Sequence, residues 1–498
     1  MGTTKSRTLF TLAVVVGINT MNFYDRQVGA AVQEQLRHEW GTSDKILGSL
    51  GSAFIILYAV FGLPFGRLAD TGQRKLILAV GVGVWSLLTF GSGFATGFWS
   101  LFALRLLVGV GEATCAPASN SLIGDLVPPE RRSQALSVFM IGLPLGLALG
   151  SFISGWIVRA TGHWQTPFFV AAVPGFLLAI AALFMTEPPR GAADARARSA
   201  PPVVTEPSRG TADGRVQAAP GFITERPGGA ADARVQTSAQ KNQSFFQVAR
   251  IVLGLPTIWW IIASGALHNF NMYAIGQWLA SFLQRYHEVG PKDANQIVAL
   301  GQAAGILPLF LIGWLGDRAF RRGVSGRLHV AWISVALTVP CLFMTLATPR
   351  GNAWWCAAWL VPAYGLLFAY YGTVYATIQD IIEPRLRGLA MAIYFFAMYL
   401  FGGVAGPLVP GWLSDVFARQ HAIANGVATP SVLDQAMGLH EALFLVPFFD
   451  AVLVLVLIAA TFTVNGDYQR RKRREEEAAA AAKHDDAVSQ SAALKTSR

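Results

Sequence analysis

Twelve apolar blocks, each long enough to cross a lipid bilayer, leave this chain very few fold classes. About 20 mostly apolar residues suffice for a helix to span the hydrocarbon core. Such blocks lie near residues 8–36, 45–66, 76–96, 98–124, 133–158 and 166–186 and, past a polar interruption, near 250–286, 293–316, 328–347, 354–382, 387–413 and 436–464. Lipid offers no partner to a backbone N–H or C=O, so blocks of this length are expected to be helices. With 53% hydrophobic and 14% charged residues and a mean hydropathy of +0.43, the expected fold is an all-α polytopic membrane protein. The basic start followed by an apolar run is read as the first span, because no small-residue cleavage site follows it.

Charge sets the expected orientation. With an N-terminus assigned to the cytoplasm, 30 of the 39 Lys and Arg fall in cytoplasmic segments, 7 in external ones and 2 within helices. That distribution obeys the positive-inside rule and places both termini in the cytoplasm. The net charge of +10 is thereby spread between apolar blocks and at the chain ends, so it asks for no nucleic-acid groove. Cys115, Cys341 and Cys356 lie in or beside apolar segments without metal-ligand spacing, so neither a disulfide framework nor a metal site is expected.

The two sets of six helices echo each other. DLVPPERRSQAL from Asp125 returns as DIIEPRLRGLAM from Asp380, with Pro129 matching Pro384 and Arg132 matching Arg387 at an offset of 255; Gly155-Trp156 returns as Gly411-Trp412 at 256. GRLADTGQRK from Gly66 is echoed by GWLGDRAFRR from Gly313, at 247. Duplicated six-helix halves suit a secondary transporter, in which two similar bundles rock about a site between them. The expected organisation is an N-terminal bundle over 1–186, a linker over 187–245, a C-terminal bundle over 246–465 and a charged tail over 466–498. The linker carries a tandem repeat, TEPPRGAADAR from Thr186, TEPSRGTADGR from Thr205 and TERPGGAADAR from Thr224. These units have no apolar face to stack, so disorder is expected there.

Ionisable groups inside a span are costly and therefore candidates for function. Helix 1 carries Asp25 and Arg26, and helix 4 carries Arg105 and Glu112, seven residues apart and on one helix face. Counting the rise per residue, Asp25 and Arg105 lie at similar depth and can pair, while Glu112 sits about 10 Å deeper among Gly109, Gly111 and Ala113, with no obvious permanent partner. In one reading an arginine holds an anionic substrate group while a carboxylate, Glu112 foremost, loads and releases a proton. In the other, the four charges form a static network holding helices 1 and 4 together.

A second set is weaker. His268, Asn271 and Tyr273 on helix 7, with Tyr370, Tyr371 and Tyr375 on helix 10, would make an aromatic, amide-lined wall suited to an amphipathic ligand, although aromatics at helical spacing are usually packing. Arg105 and Arg26 complete the candidate substrate contacts. Gly66, Asp70, Arg74 and Lys75, with Asp317 and Arg318 in the second half, form a candidate conformational latch at the membrane surface. The glycines of GLPLGLALG and GGVAGPLVPG are read as helix-packing positions. Asp450 on helix 12 is intramembrane, without a partner legible from the sequence. The chain holds no phosphate-binding loop and no zincin or GxSxG motif, so neither an ATP-driven pump nor an enzyme is expected, and no cofactor.

Together these features resemble the major facilitator superfamily, with its twelve helices in two pseudo-symmetric bundles and its GxLaD-type motif after helix 2. NFYDRQ in helix 1, FGLPFGRLADTGQRK, RLLVGVGEATCAP in helix 4 and LVPPERRSQALSVFMIGLPLG into helix 5 resemble the spinster-like branch. Thr71 and Gln73 depart from the superfamily loop pattern. The resemblance implies that Asp25, Arg105 and Glu112 are the proton-coupling and substrate-contacting set and that the substrate is an amphipathic lysolipid or sphingoid phosphate. The resulting expectation is a proton-coupled transporter of an amphipathic organic anion, lysophospholipid-like, working by alternating access. It would sit as a monomer in a bacterial inner membrane, with membrane lipid, protons and a small amphipathic or anionic substrate as partners. A small organic-acid symporter of the same fold and a transport-inactive receptor are the alternatives.

Overall fold

The structure, a computed structural model, describes residues 2–127, 129–190, 192, 245–383 and 386–496. Most of the linker, with its second and third repeat copies, lies outside the described residues, as does the side chain of Asp70. Twelve helices cross the bilayer. The first six are α1 (Gly2–Ala31), α2 (Asp44–Thr71), α3 (Arg74–Ser92), α4 (Phe98–Leu126), α5 (Pro129–Thr161) and α6 (Thr166–Leu183). The second six are α7 (Pro256–Tyr286), α8 (Pro291–Phe320), α9 (Gly326–Ala347), α10 (Ala353–Ile381), α11 (Arg387–Ala397 continuing through a π-helical turn into Val404–Ala424) and α12 (Val432–Leu443 and Leu445–Thr496). Ten are long and apolar enough to be recognised by composition alone. The other two are α1 and α7, whose apolar runs are broken by Asn19, Asn22, Asp25 and Arg26, and by His268, Asn269 and Asn271. The two least lipid-like helices are thus the first of each bundle, and all seven of those side chains are buried.

Close backbone approach fixes where these polar helices sit. A Cβ on Gly146 of α5 would stand 2.2 Å from the Thr20 carbonyl of α1, and one on Gly402 of α11 would stand 2.1 Å from the Ala266 carbonyl of α7. The small residues at four-residue spacing are therefore seats for α1 and α7. Interruptions follow the duplication too. α4 breaks at Ala113-Thr114 and α10 at Phe368, and positions 113 and 368 differ by the same 255 that relates Asp125 to Asp380.

The two bundles meet unevenly. α5 packs on the Pro291–Ala304 piece of α8 far more than on Ile306–Phe320, and α2 on the Val404–Ala424 piece of α11 far more than on Arg387–Ala397. The halves are therefore closed at the end away from the chain termini, here called distal, and spread apart toward the end that bears them, here called proximal.

Distal closure is polar and buried. The Arg285 guanidinium at the end of α7 donates to both carboxylate oxygens of Glu34 (2.8 and 2.5 Å) and of Asp44 (2.6 and 2.9 Å), which belong to the other half. Asp44 also accepts from Ser414 at 2.6 Å. Asp415 of α11 accepts from the Asp44 and Lys45 amides (3.0 and 2.9 Å), capping the N-terminus of α2 from across the interface. Arg37 bonds Gln435 at 2.5 Å. Burial and the neighbouring Arg285 charge hold the Arg37 guanidinium below its ordinary pKa.

Candidate functional site

At the roof of the proximal gap, α1 and α4 exchange two ion pairs. Asp25 and Arg26 are consecutive, so their side chains leave α1 about 100° apart and meet different residues of α4. Asp25 accepts from Arg105 Nη1 at 3.4 Å and from the Thr89 hydroxyl of α3 at 2.5 Å, while Arg105 Nη2 donates to the Asp25 carbonyl at 2.8 Å. Arg105 also lies over the Phe168 ring, 5.3 Å from its centroid. Arg26 Nε donates to Glu112 Oε2 at 2.9 Å, and Asn22, one turn earlier on α1, donates to the same oxygen at 3.0 Å.

The second pair corrects one expectation. Glu112 does have a partner, Arg26, and the reason it was hidden is that the pairing depends on the rotation of α1 about its own axis. Glu112 is the last residue of the Phe98–Glu112 piece of α4, just before the break. Its other oxygen, Oε1, is buried without a hydrogen-bond partner among the described residues.

Arg26, not Arg105, is the guanidinium that bonds across to the other half. Its Nη2 donates to Asn22 at 2.9 Å and its Nη1 donates to the Tyr273 hydroxyl of α7, in the other half, at 3.2 Å. The rings of Phe23, Phe54 and Tyr58 lie around it, with centroids 4.8, 4.9 and 4.3 Å from the guanidinium carbon. From Tyr58 an aromatic chain crosses to the C-terminal half through Tyr399, at 5.1 Å, and Phe395, then Tyr375 and Tyr371. Tyr58, Tyr273, Tyr375, Phe395 and Tyr399 are half-buried, and the Tyr58–Tyr399 contact joins the two halves.

The remaining candidates are drawn elsewhere. His268 is fully buried, stacked on Tyr370 at 4.0 Å and edge-on to Tyr371 at 4.9 Å, with neither ring nitrogen bonded to a described residue. The Tyr370 hydroxyl is engaged by Ser264 and Tyr394 at 2.8 and 3.1 Å. Asn271 points to α12, where it donates to Asp450 at 3.2 Å. Asp450 is thus not without partners, since Thr338 of α9 also bonds it. The aromatic wall exists, but Tyr58, Phe395 and Tyr399 were missed. Asn22 was also missed, although its place one turn before Arg26 was a usable signal.

At the proximal surface each half ties its own helix ends together. Arg74, 1% exposed, bonds Asp125 at the end of α4, Glu187 at 3.2 Å and the Pro188 carbonyl at 2.7 Å. In the second half Arg327 bonds Asp380 and, at 2.7 Å, Asp317. The counterpart of Arg74 is therefore Arg327, 253 residues on, and the loop after α8 is six residues longer than the offset of 247 implies. The Lys75 amide donates to Glu187 at 3.4 Å, Arg318 lies over the Trp314 ring, and a Cβ on Gly66 would meet open space.

Two pseudo-symmetric six-helix bundles, closed at the distal end by Arg285 of α7 against Glu34 and Asp44 of the other half, define a membrane transporter. The chain belongs to the Major Facilitator Superfamily, which it matches over residues 9–407. Within it the chain is similar to spinster proteins. It is 27% identical to human protein spinster homolog 1 over 487 residues, covering 94% of this chain and 83% of the relative. It is 26% identical over 449 residues to the zebrafish (Danio rerio) sphingosine-1-phosphate transporter SPNS2, covering 86% and 79%. Among solved structures, a bacterial homolog of the human lysosomal transporter Spinster, inward-facing and unoccupied, shares the fold with a TM-score of 0.74 at 24% identity, covering 93% of this chain and 98% of that one.

Proposed function

We propose that this spinster-type transporter carries an amphipathic organic anion, lysophospholipid-like, together with a proton by alternating access. One observation carries the reading: Arg26, the guanidinium at the gap, is bonded at 2.9 Å to the buried carboxylate of Glu112 and surrounded by aromatic rings. Arg26 and Glu112 cancel each other's charge. An anionic head group arriving at Arg26 would break that balance, leaving a carboxylate with Asn22 as its remaining donor in a low-dielectric site, where an unpaired charge is costly. A proton on Glu112 restores neutrality, so anion and proton bind together. Asp25, closed off by Arg105 and Thr89, holds α1 on α4 and is the second proton-coupling candidate. The Tyr58–Tyr399–Phe395–Tyr375 wall offers the acyl chain an apolar surface with hydroxyls at its edge. The sphingosine-1-phosphate transported by the zebrafish relative is an anion of this kind.

Both termini are assigned to the cytoplasm, from the distribution of Lys and Arg, of a bacterial inner membrane. The gap then opens inward. The test is uptake of labelled lysophospholipid into liposomes holding the purified protein under an inward-directed proton gradient. The expected outcome is gradient-stimulated uptake that is lost in Glu112→Gln while equilibrium lysolipid binding survives. Uptake confined to small carboxylates would replace the lysolipid with an organic acid, and uptake indifferent to the gradient in both proteins would sink proton coupling.

A further inference from the structure

The C-terminal half buries a carboxyl group that the proposed cycle does not use. Asp450 on α12 is 0% exposed. Its carboxyl meets the Thr338 hydroxyl of α9 and the Asn271 amide of α7, neither of which carries charge. α7, α9 and the Ala369–Ile381 piece of α10 pack on α12; Tyr273 meets Arg26, Tyr286 stacks on His440, Tyr371 and Tyr375 pack on each other, Cys341 is a free, half-buried thiol, and the charged residues and histidines are engaged elsewhere. His268 is stacked on Tyr370, Arg285 is at the distal end between Glu34 and Asp44, and Tyr370 is bonded to Ser264. At the proximal end Arg327 holds Asp317 and Asp380, while His329 bonds the Ser325 carbonyl. Among the described residues no cation faces Asp450.

Two arguments from geometry then agree. Thr338 has one hydroxyl proton and two oxygen neighbours, the Val335 carbonyl at 2.7 Å and Asp450 Oδ2. If the hydroxyl donates to the carbonyl, the contact with Asp450 is a hydrogen bond only when the carboxyl supplies the proton. Charge balance gives the same answer, because an ionised carboxylate buried in an apolar interior without a cation is far more costly than the neutral acid.

The two halves bury a carboxyl group in different ways. In each half an asparagine of the first helix donates to a buried carboxyl group, Asn22 to Glu112 and Asn271 to Asp450. At the offset of 246 set by the Gly146–Thr20 and Gly402–Ala266 contacts, Arg26 falls on Met272, so α7 carries no guanidinium there. We propose that Asp450, with Thr338 and Asn271, is a second proton-binding site, loaded in this conformation, the proton neutralising the carboxylate as the Arg26 guanidinium neutralises Glu112 in the other half. The site does not depend on the role given to Glu112.

Infrared spectroscopy of the purified full-length protein at neutral pH, in H2O and D2O, tests this. The expected result is a protonated-carboxyl C=O band that shifts in D2O, disappears in Asp450→Asn, persists in Glu112→Gln, and changes frequency in Thr338→Val. The Thr338→Val shift carries the test should Asp450→Asn fail to fold. Unchanged protonated-carboxyl intensity in Asp450→Asn, no response to Thr338→Val, or a band that sodium chloride removes and choline chloride leaves intact would overturn the assignment, the last by making the site one for a metal cation.

Discussion

The N-terminal half places charge in its interior and balances it with charge: Asp25 against Arg105 and Glu112 against Arg26, between α1 and α4. At corresponding depth the C-terminal half has a histidine sandwiched by tyrosines, a hydroxyl relay through Ser264, Tyr370 and Tyr394, and one carboxyl group with neutral partners. Both halves use the same helices and the same glycine seats, so the backbone does not dictate the difference. Under the proposed function, one duplicated scaffold divides the labour, with one bundle handling the anion's charge and the other offering an aromatic face to its chain. One inter-half hydrogen bond at the roof of the gap joins Arg26 to Tyr273, a guanidinium from the charged side and a phenol from the neutral one.

This asymmetry can be broken by experiment. The largest contrast is expected between Glu112→Leu and Asp450→Leu. The first leaves Arg26 buried and unpaired and should cost about 3–5 kcal/mol, whereas the second removes a neutral acid and should cost no more than about 1–3 kcal/mol, the value of a lost buried hydrogen-bond partner. Thermal unfolding in detergent reads both, and equal losses would mean that Asp450 carries charge. Next come the surface clusters. Arg74→Ala, which strips a buried guanidinium from Asp125 and Glu187, should destabilise by about 3 kcal/mol. Arg327→Ala, whose partner Asp317 is largely exposed, should cost about 1 kcal/mol or less. A reversed order would locate the tighter proximal tie in the second half.

Glycine seats should behave alike in the two halves. Gly146→Val and Gly402→Val each push a Cβ into a facing carbonyl, so each should lower stability by about 1–3 kcal/mol. A loss in one alone would break the scaffold symmetry. The smallest effect is expected for Tyr370→Phe, which removes the hydroxyl shared by Ser264 and Tyr394 for about 1 kcal/mol, with proton-driven transport unchanged. A transport defect there would bring the hydroxyl relay into the coupling machinery.

The sequence alone determined the class of fold and its duplication, because apolar length and repeated motifs are local and additive along the chain. It also marked Asp25, Arg26, Arg105 and Glu112, since any charge within an apolar block stands out. Only the tertiary structure decided who pairs with whom. Glu112 meets Arg26 and Asp25 meets Arg105 because of how far α1 is turned against α4, and that turn is set by glycine seats on α5. The distal closure was illegible for a related reason. Glu34, Asp44 and Arg285 lie at span ends, where charges are ordinary, and they converge from positions some 250 residues apart. Nor could hydropathy separate a tyrosine at the gap, such as Tyr375, from one in the core, such as Tyr370. Both are aromatic residues on one helix, and which faces the opening depends on where the two bundles part.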